Sequence, residues 1–190
     1  SPQLDMSERG FSLKRDGPLD MRMDESGTRT AADIVNRSSE KELMRIIETY
    51  GEEPRAMAAR IAHAIRLNRP LHTTHELARL ILTLPRGPYR KIHPATRTFQ
   101  AFRIAVNDEL GQIEQLLPLI PQLLSPGGRV AVISFHSGED RRVKRYFAEA
   151  TSAGYEAELE LLTKKAIRGN THDVHNPRAR SATLRACCKN

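Results

Sequence analysis

From Thr30 onward, apolar residues recur at helical spacing in blocks that open on a side-chain cap and close on glycine or proline. Ser39 with Glu42 has the capping-box pattern, and Leu43, Ile46, Ile47 and Tyr50 then keep one face apolar until Gly51. Pro54 suits a first helical turn, and Met57, Ile61, Ala64 and Ile65 share a face before Pro70. Thr73 with Glu76 repeats the cap; Leu77, Leu80, Ile81 and Leu84 form the next stripe, closed by Pro85. Three such stripes predict a small helical domain whose helices bury their faces on one another.

A basic connector follows, and near Pro94 it turns into one long helix with Phe99, Phe102, Val106, Leu110, Ile113 and Leu117 inward, broken near its end by Pro118 and Pro121. After the turn Ser125 to Gly128 the pattern changes. "RVAVISF" is a strand, Glu139 to about Thr151 a helix, and "AELELLTKK" and "SATLRACC" are two further strands. Helix, strand, helix, strand, strand is the C-terminal half of an α/β sheet. Three strands are few for such a sheet, so the others are expected upstream of Ser1, and the chain is expected to begin mid-fold. Residues 1–27 carry turn chemistry at Gly10, Asp16-Gly17-Pro18 and Gly27 and read as an ordered loop region with short extended pieces.

Composition narrows the partners. Lys plus Arg number 30 against 23 Asp plus Glu, a formal +7 with a pI near 9.8, which favours an anionic partner, nucleic acid first. No apolar run approaches the roughly 18 residues of a membrane span, and no signal peptide opens the chain, so a cytoplasmic location is expected. Cys187 and Cys188 are neighbours in a strand, point to opposite faces, and read as reduced packing residues.

Candidate chemistry gathers where "VISFHSGEDRRVKRYF" passes from strand to helix. Ligands of open α/β sheets bind beyond the carboxyl ends of the strands, which is the address of His136 and Ser137; a histidine that caps neighbouring backbone is the alternative. Glu139 and Asp140 fall in the first helical turn and are explained by the helix dipole. Arg141, Arg142, Lys144 and Arg145 read as a largely solvated face with some phosphate contact. A Ser-His-Asp hydrolase lacks the Gly-x-Ser-x-Gly elbow. "HDVH", His172 to His175, lacks further ligands for zinc. The Gly127-Gly128 turn precedes a strand, whereas a phosphate-cradling loop follows one.

Other clusters are basic. Arg97 and Arg103 bracket Phe99 and Gln100, and Arg178 and Arg180 precede the last strand; these guanidinium groups suit phosphate or structural ion pairs. In "PLDMRMD" an extended backbone would set Asp20 and Arg22 on one side and Met21 and Met23 on the other, as in a pocket wall or an edge strand.

"SPQLD", "RGFS", "DGPLDMRMD", "YGEE", "HPATRTFQAFRIAVNDEL", "PGGRVAVISFHSGEDRRVK" and "NPRARSATLR" stand in this order across nearly the whole chain. Together they resemble the RsmH or MraW family, the bacterial 16S ribosomal RNA cytosine-N4 methyltransferases. The resemblance implies a Rossmann-like S-adenosylmethionine-dependent methyltransferase core, of which this chain holds the C-terminal part of the sheet, with an inserted all-helical domain. On that reading residues 1–27 are the acceptor-loop segment of the core, 28–96 the inserted helical domain, and 97–190 the C-terminal half of the core. The family's glycine-rich loop lies upstream of "SPQLD"; of its cofactor contacts Gln3 maps here, with Ser1 and Pro2 as the remnant of the loop beside the methyl acceptor. Gly138 stands where the family commonly has leucine and is expected to loosen the strand-to-helix turn.

The implied reaction is in-line transfer of the sulfonium methyl to the exocyclic N4 amine of a cytosine in 16S ribosomal RNA of the small subunit, with neither metal nor covalent intermediate. Asp20, Arg22, His136 and Ser137 are the expected pocket residues; Arg97, Arg178 and Arg180 are expected to meet RNA or tie the loops together. No residue is assigned as general base. The rival readings are a non-catalytic basic RNA-binding module and a truncated, inactive methyltransferase fragment.

Overall fold

A computed structural model describes residues 6–85, 92–172 and 175–190, with backbone alone for Ser7, Tyr155, His172, Pro177 and Arg178. The chain divides into two compact units, Ser1–Asp108 and Glu109–Asn190.

The first unit is helical: α1 Ala31–Arg37, α2 Glu40–Gly51, α3 Arg55–Leu67, α4 Thr74–Leu82 and α5 Thr96–Asn107. Thr30 and Asp33 close a full capping box on α1, and Thr73 and Glu76 close one on α4. At α2 the expected box is half formed. Ser39 Oγ accepts the Glu42 amide at 3.1 Å, but the Glu42 carboxylate turns to Arg29, which donates to it at 3.1 Å.

Gly51 is still helical, and Glu52 beyond it takes the left-handed conformation at φ 52°. Glycine is needed at 51 for a different reason: a Cβ there would lie 2.6 Å from the Arg97 carbonyl oxygen, because α2 and α5 approach this closely. Leu43, Ile47, Ile61, Ile65, Leu77 and Ile81 are fully buried as the three stripes foretold, and the same core takes in Leu19, Met21, Phe99 and Phe102.

The long helix expected from Pro94 to Leu117 is two helices. Its first part ends at Asn107, Asp108 adopts φ 47°, and α6, Glu109–Leu116, begins the second unit. Aspartate tolerates the left-handed region better than most side chains, so the break needs neither proline nor glycine. A 3-10 turn, Leu117–Leu119, and α7, Ile120–Leu123, follow, with the prolines in their first turns.

The second unit's sheet has four strands rather than the expected three: β1 Arg129–Ser134, β2 Leu159–Leu161, β3 Ile167–Arg168 and β4 Thr183–Lys189. The order is β1-β4-β2, with β3 also on β4, and every pairing is antiparallel. Since β1 and β2 both oppose β4, they run parallel to each other, joined through α8, Ser137–Ala150. β2 is shorter than its alternation predicts: beyond Leu161, the amides of Leu162 and Thr163 both reach Ala186 O, at 3.0 and 3.3 Å, and the ladder stops. The helices cover one face, burying Val143, Phe147, Leu117, Ile120, Leu159 and Cys187, with Val130 and Val132 packed against them. The other face of β1 is open, with Ile133 and Phe135 each 55% exposed. A short helix α9, Gly169–His172, and a 3-10 turn, Pro177–Ser181, precede β4.

Candidate active site

In the first unit the polar residues of "PLDMRMD" fold onto one another. Met21 has φ 61°, so the segment turns where the alternation predicted an extended run. Met21 is buried and Met23 is 40% exposed; they do not share an apolar side. Asp20 and Arg22 are brought together as a bidentate pair, Nε to Oδ1 and Nη2 to Oδ2 each at 2.7 Å. Arg22 Nη1 donates to the carbonyls of Glu25 and Gly27 at 2.8 and 2.7 Å, so the loop closes round the guanidinium. Arg9 supports it from outside, donating to Arg22 O at 2.8 Å and pairing with Glu25. The hydrogen bond from Arg22 is the main cause that holds the Asp20 carboxyl below the usual aspartate range, against a partial desolvation that pushes it up. The result is an ionised carboxylate fixed on a rigid loop, with lone pairs left to accept further hydrogen bonds.

Asn107 pins this loop to α5. Its Oδ1 accepts the Met23 amide at 2.6 Å and its Nδ2 donates to Met21 O at 2.7 Å. Nothing in the local pattern marks Asn107, because the contact spans more than eighty residues of chain.

In the second unit, β1 hands over to α8 at His136, which is the N-cap. Its Nδ1 accepts the Glu139 amide at 3.4 Å, while Glu139 Oε2 accepts the amides of Phe135 and His136 at 2.7 and 3.3 Å. Histidine thus fills the place of serine in a capping box, and the His-x-x-Glu spacing was the signal for it. Glu139 Oε1 lies 3.5 Å from His136 Nε2, and a carboxylate oxygen of Glu109 comes within 4.8 Å of both residues. The capping bond takes the Nδ1 lone pair and selects the neutral tautomer protonated at Nε2. In that tautomer Nε2 offers a proton rather than a lone pair to its carboxylate neighbours.

Gly138 lies under the ring: a Cβ there would meet Nδ1 at 3.1 Å and Cε1 at 3.2 Å. The glycine expected to loosen the turn sits inside the helix, in close contact with the capped ring.

Ser137 is the first residue of α8 and exposed. Asp140 takes Arg185 of β4 in a bidentate pair at 2.7 and 3.1 Å, and Arg142 donates to Glu114 at 2.6 Å and to Gly138 O at 3.1 Å. The basic face of α8 is largely solvated as expected, with Arg141, Lys144 and Arg145 exposed and Arg142 half-buried.

Arg97 donates to Glu52 O at 2.9 Å and lies 3.9 Å from the buried Glu53, tying α5 to the end of α2. Arg180 is exposed on the 3-10 turn before β4. Ser1, Pro2 and Gln3, and the side chain of Arg178, lie outside the described residues. The structure brings together Asp20 with Arg22, and His136 with Ser137, each within its own unit.

Cys187 is buried, with its thiol pushed up to about 11 by desolvation; Cys188 is half-buried, and both are free. Among the described residues no helix is long and apolar enough to cross a membrane.

The segments that shape both clusters, "DGPLDMRMD", "VNDEL" and "SFHSGED", fall inside one family match. The profile of the MraW methylase family matches residues 1–190, and the chain belongs to that family. It is 52% identical over 188 residues to the ribosomal RNA small subunit methyltransferase H of a Synechocystis strain, covering 97% of this chain and 59% of that protein. Proteins of the same name from Anaeromyxobacter sp. (strain K) and Acidobacterium capsulatum are 47% and 51% identical, with 98% and 100% of this chain and 65% and 63% of theirs covered. The chain thus spans about 60% of the length of these relatives.

Proposed function

We propose that the protein containing this chain transfers the methyl group of S-adenosylmethionine to the exocyclic N4 amine of a cytosine in 16S ribosomal RNA of the small subunit, in the cytoplasm. The observation that carries this reading is the family match over the whole chain, together with the names of relatives about half identical to it. Its fold counterpart is a Rossmann-like core into which residues 28–96 are inserted, with 1–27 and 97–190 as flanking core segments. That β1 and β2 run in the same direction on either side of β4 and are linked through α8 supports this, as strands that run parallel in an α/β sheet need such a helical crossover.

The N4 amine is a weak nucleophile because its lone pair is delocalised into the ring. Attack on a sulfonium methyl needs the amine held in line and its hydrogens drawn toward an acceptor. The ionised Asp20, oriented by Arg22, is suited to accept such a hydrogen bond. His136 and Ser137, at the strand-to-helix turn of the second unit, are likewise proposed as substrate-binding residues, and Arg97, Arg178 and Arg180 as the groups that meet RNA phosphates or hold the loops that do. Arg97 fits the second role better, since its guanidinium is engaged by Glu52 and Glu53. The base must leave any stack to enter such a pocket. Ser1, Pro2 and Gln3 are proposed for the S-adenosylmethionine side, where the bound cofactor supplies the electrophilic methyl.

Calorimetric titration of the full-length protein with S-adenosylmethionine tests this reading against a non-catalytic RNA-binding module. Saturable heat is expected. RNA binding without any S-adenosylmethionine heat would replace the enzyme with the module.

A further inference from the structure

The loop that carries Asp20 and Arg22 contains a residue that L-amino acids disfavour: Met21 at φ 61°, a conformation that costs roughly 1 kcal/mol or more. Three features hold it there. The Met21 side chain is buried in the helical core, its amide donates to Arg9 O at 3.0 Å, and a single side chain, Asn107, grips the backbone on both sides of Arg22. Its Nδ2 donates to the carbonyl before Arg22 and its Oδ1 accepts the amide after it; the second Nδ2 hydrogen goes to Arg103 O at 2.8 Å, within α5. The amide therefore has one possible orientation, and both its ends are occupied. Aspartate would lack the donor, serine could not bridge the Met21 carbonyl and the Met23 amide at once, and glutamine is a methylene too long. The contacts from Arg22 to Glu25 O and Gly27 O are internal, and Arg9 holds the loop on its other side, donating to Arg22 O and Met23 O at 2.8 and 3.2 Å, so Asn107 is the side chain that ties the loop to α5.

We propose that Asn107 is a positioning residue for methyl transfer: through its grip on Met21 and Met23 it fixes where the Asp20–Arg22 pair stands relative to the acceptor amine. This rests on the reading that Asp20 and Arg22 belong to the acceptor pocket. A displacement of about 1 Å at a reacting centre lowers rates by about 100-fold.

In the full-length protein, Asn107→Ala is expected to lower kcat for 16S ribosomal RNA about 100-fold per folded molecule, with the KM for S-adenosylmethionine within about twofold of wild type. Trypsin is expected to cut after Arg22 at least about tenfold faster in the variant, since the peptides that flank Arg22 lose their tie to α5. If Asn107→Ala does not fold, Asn107→Asp carries the same two measurements, because it keeps the acceptor for Met23 and removes the donor to Met21. A variant with kcat within about threefold of wild type overturns the positioning role while leaving the methyltransferase reading intact. If the wild-type protein transfers no methyl group, that reading fails, and the trypsin rate alone decides whether Asn107 anchors the loop: an unchanged rate overturns this as well.

Discussion

Asp20 and Arg22 show what a single pair of residues contributes. Arg22 keeps the Asp20 carboxyl ionised below the usual aspartate range, so the pair's contribution to stability is complete above that range and is lost as pH falls through the depressed pKa. If Asp20 accepts from the substrate amine, an acid limb in kcat/KM due to Asp20 lies below the ordinary aspartate range. It should move upward in Arg22→Gln, as a pH–rate profile would show. The two cysteines offer a simpler check. Cys187, buried and with its thiol raised to about 11, should resist alkylation at neutral pH, and Cys188 should be modified first; peptide mapping after brief iodoacetamide treatment reads the order. At this scale the sequence identified Asp20 and Arg22 by their alternation but placed them on a straight strand. The left-handed Met21 is imposed by burial and by Asn107, and neither is visible in a local pattern.

Elements were legible where their ends are written locally. The box at Thr73 closes as its spacing implies, the Ser39 box is incomplete because Arg29 draws Glu42 away, and the Thr30–Asp33 box with its short helix was not read from the sequence. The division of the long helix at Asp108 was hidden, because apolar residues keep helical spacing on both sides of the break. The role of Gly51 was hidden too, since it depends on how near α5 comes. Gly51→Ala should lower the unfolding free energy by about 1–3 kcal/mol in urea titrations, because the new methyl meets the Arg97 backbone rather than a side chain that could turn aside. Glu139→Ala removes half of the α8 capping box and should cost about 1 kcal/mol by the same measurement. β4 was read as a strand, but its central place between β1 and β2 comes from pairings over long separations that no short window contains.

For the molecule as a whole, the net charge of +7 is the excess that internal ion pairs leave untouched. Arg22, Arg97, Arg142 and Arg185 are held by acids or carbonyls within their own units, so the excess rests on exposed groups such as Arg180, which would be the ones to meet phosphate. Family membership was readable because seven motifs stand in order; the geometry of the proposed pocket was not, because it depends on loop closure and capping. On the function proposed here, the protein containing this chain would methylate the N4 amine of a cytosine in small-subunit ribosomal RNA, and the Asp20 carboxylate would assist. The most direct test incubates the full-length protein with isotopically labelled S-adenosylmethionine and small-subunit 16S ribosomal RNA, followed by mass spectrometry of the digested nucleosides. Labelled N4-methylcytidine from the wild type, reduced at least about tenfold by Asp20→Ala in a protein of unchanged fold, is the predicted result. Label in another nucleoside, or N4-methylcytidine formed equally by both proteins, would contradict it.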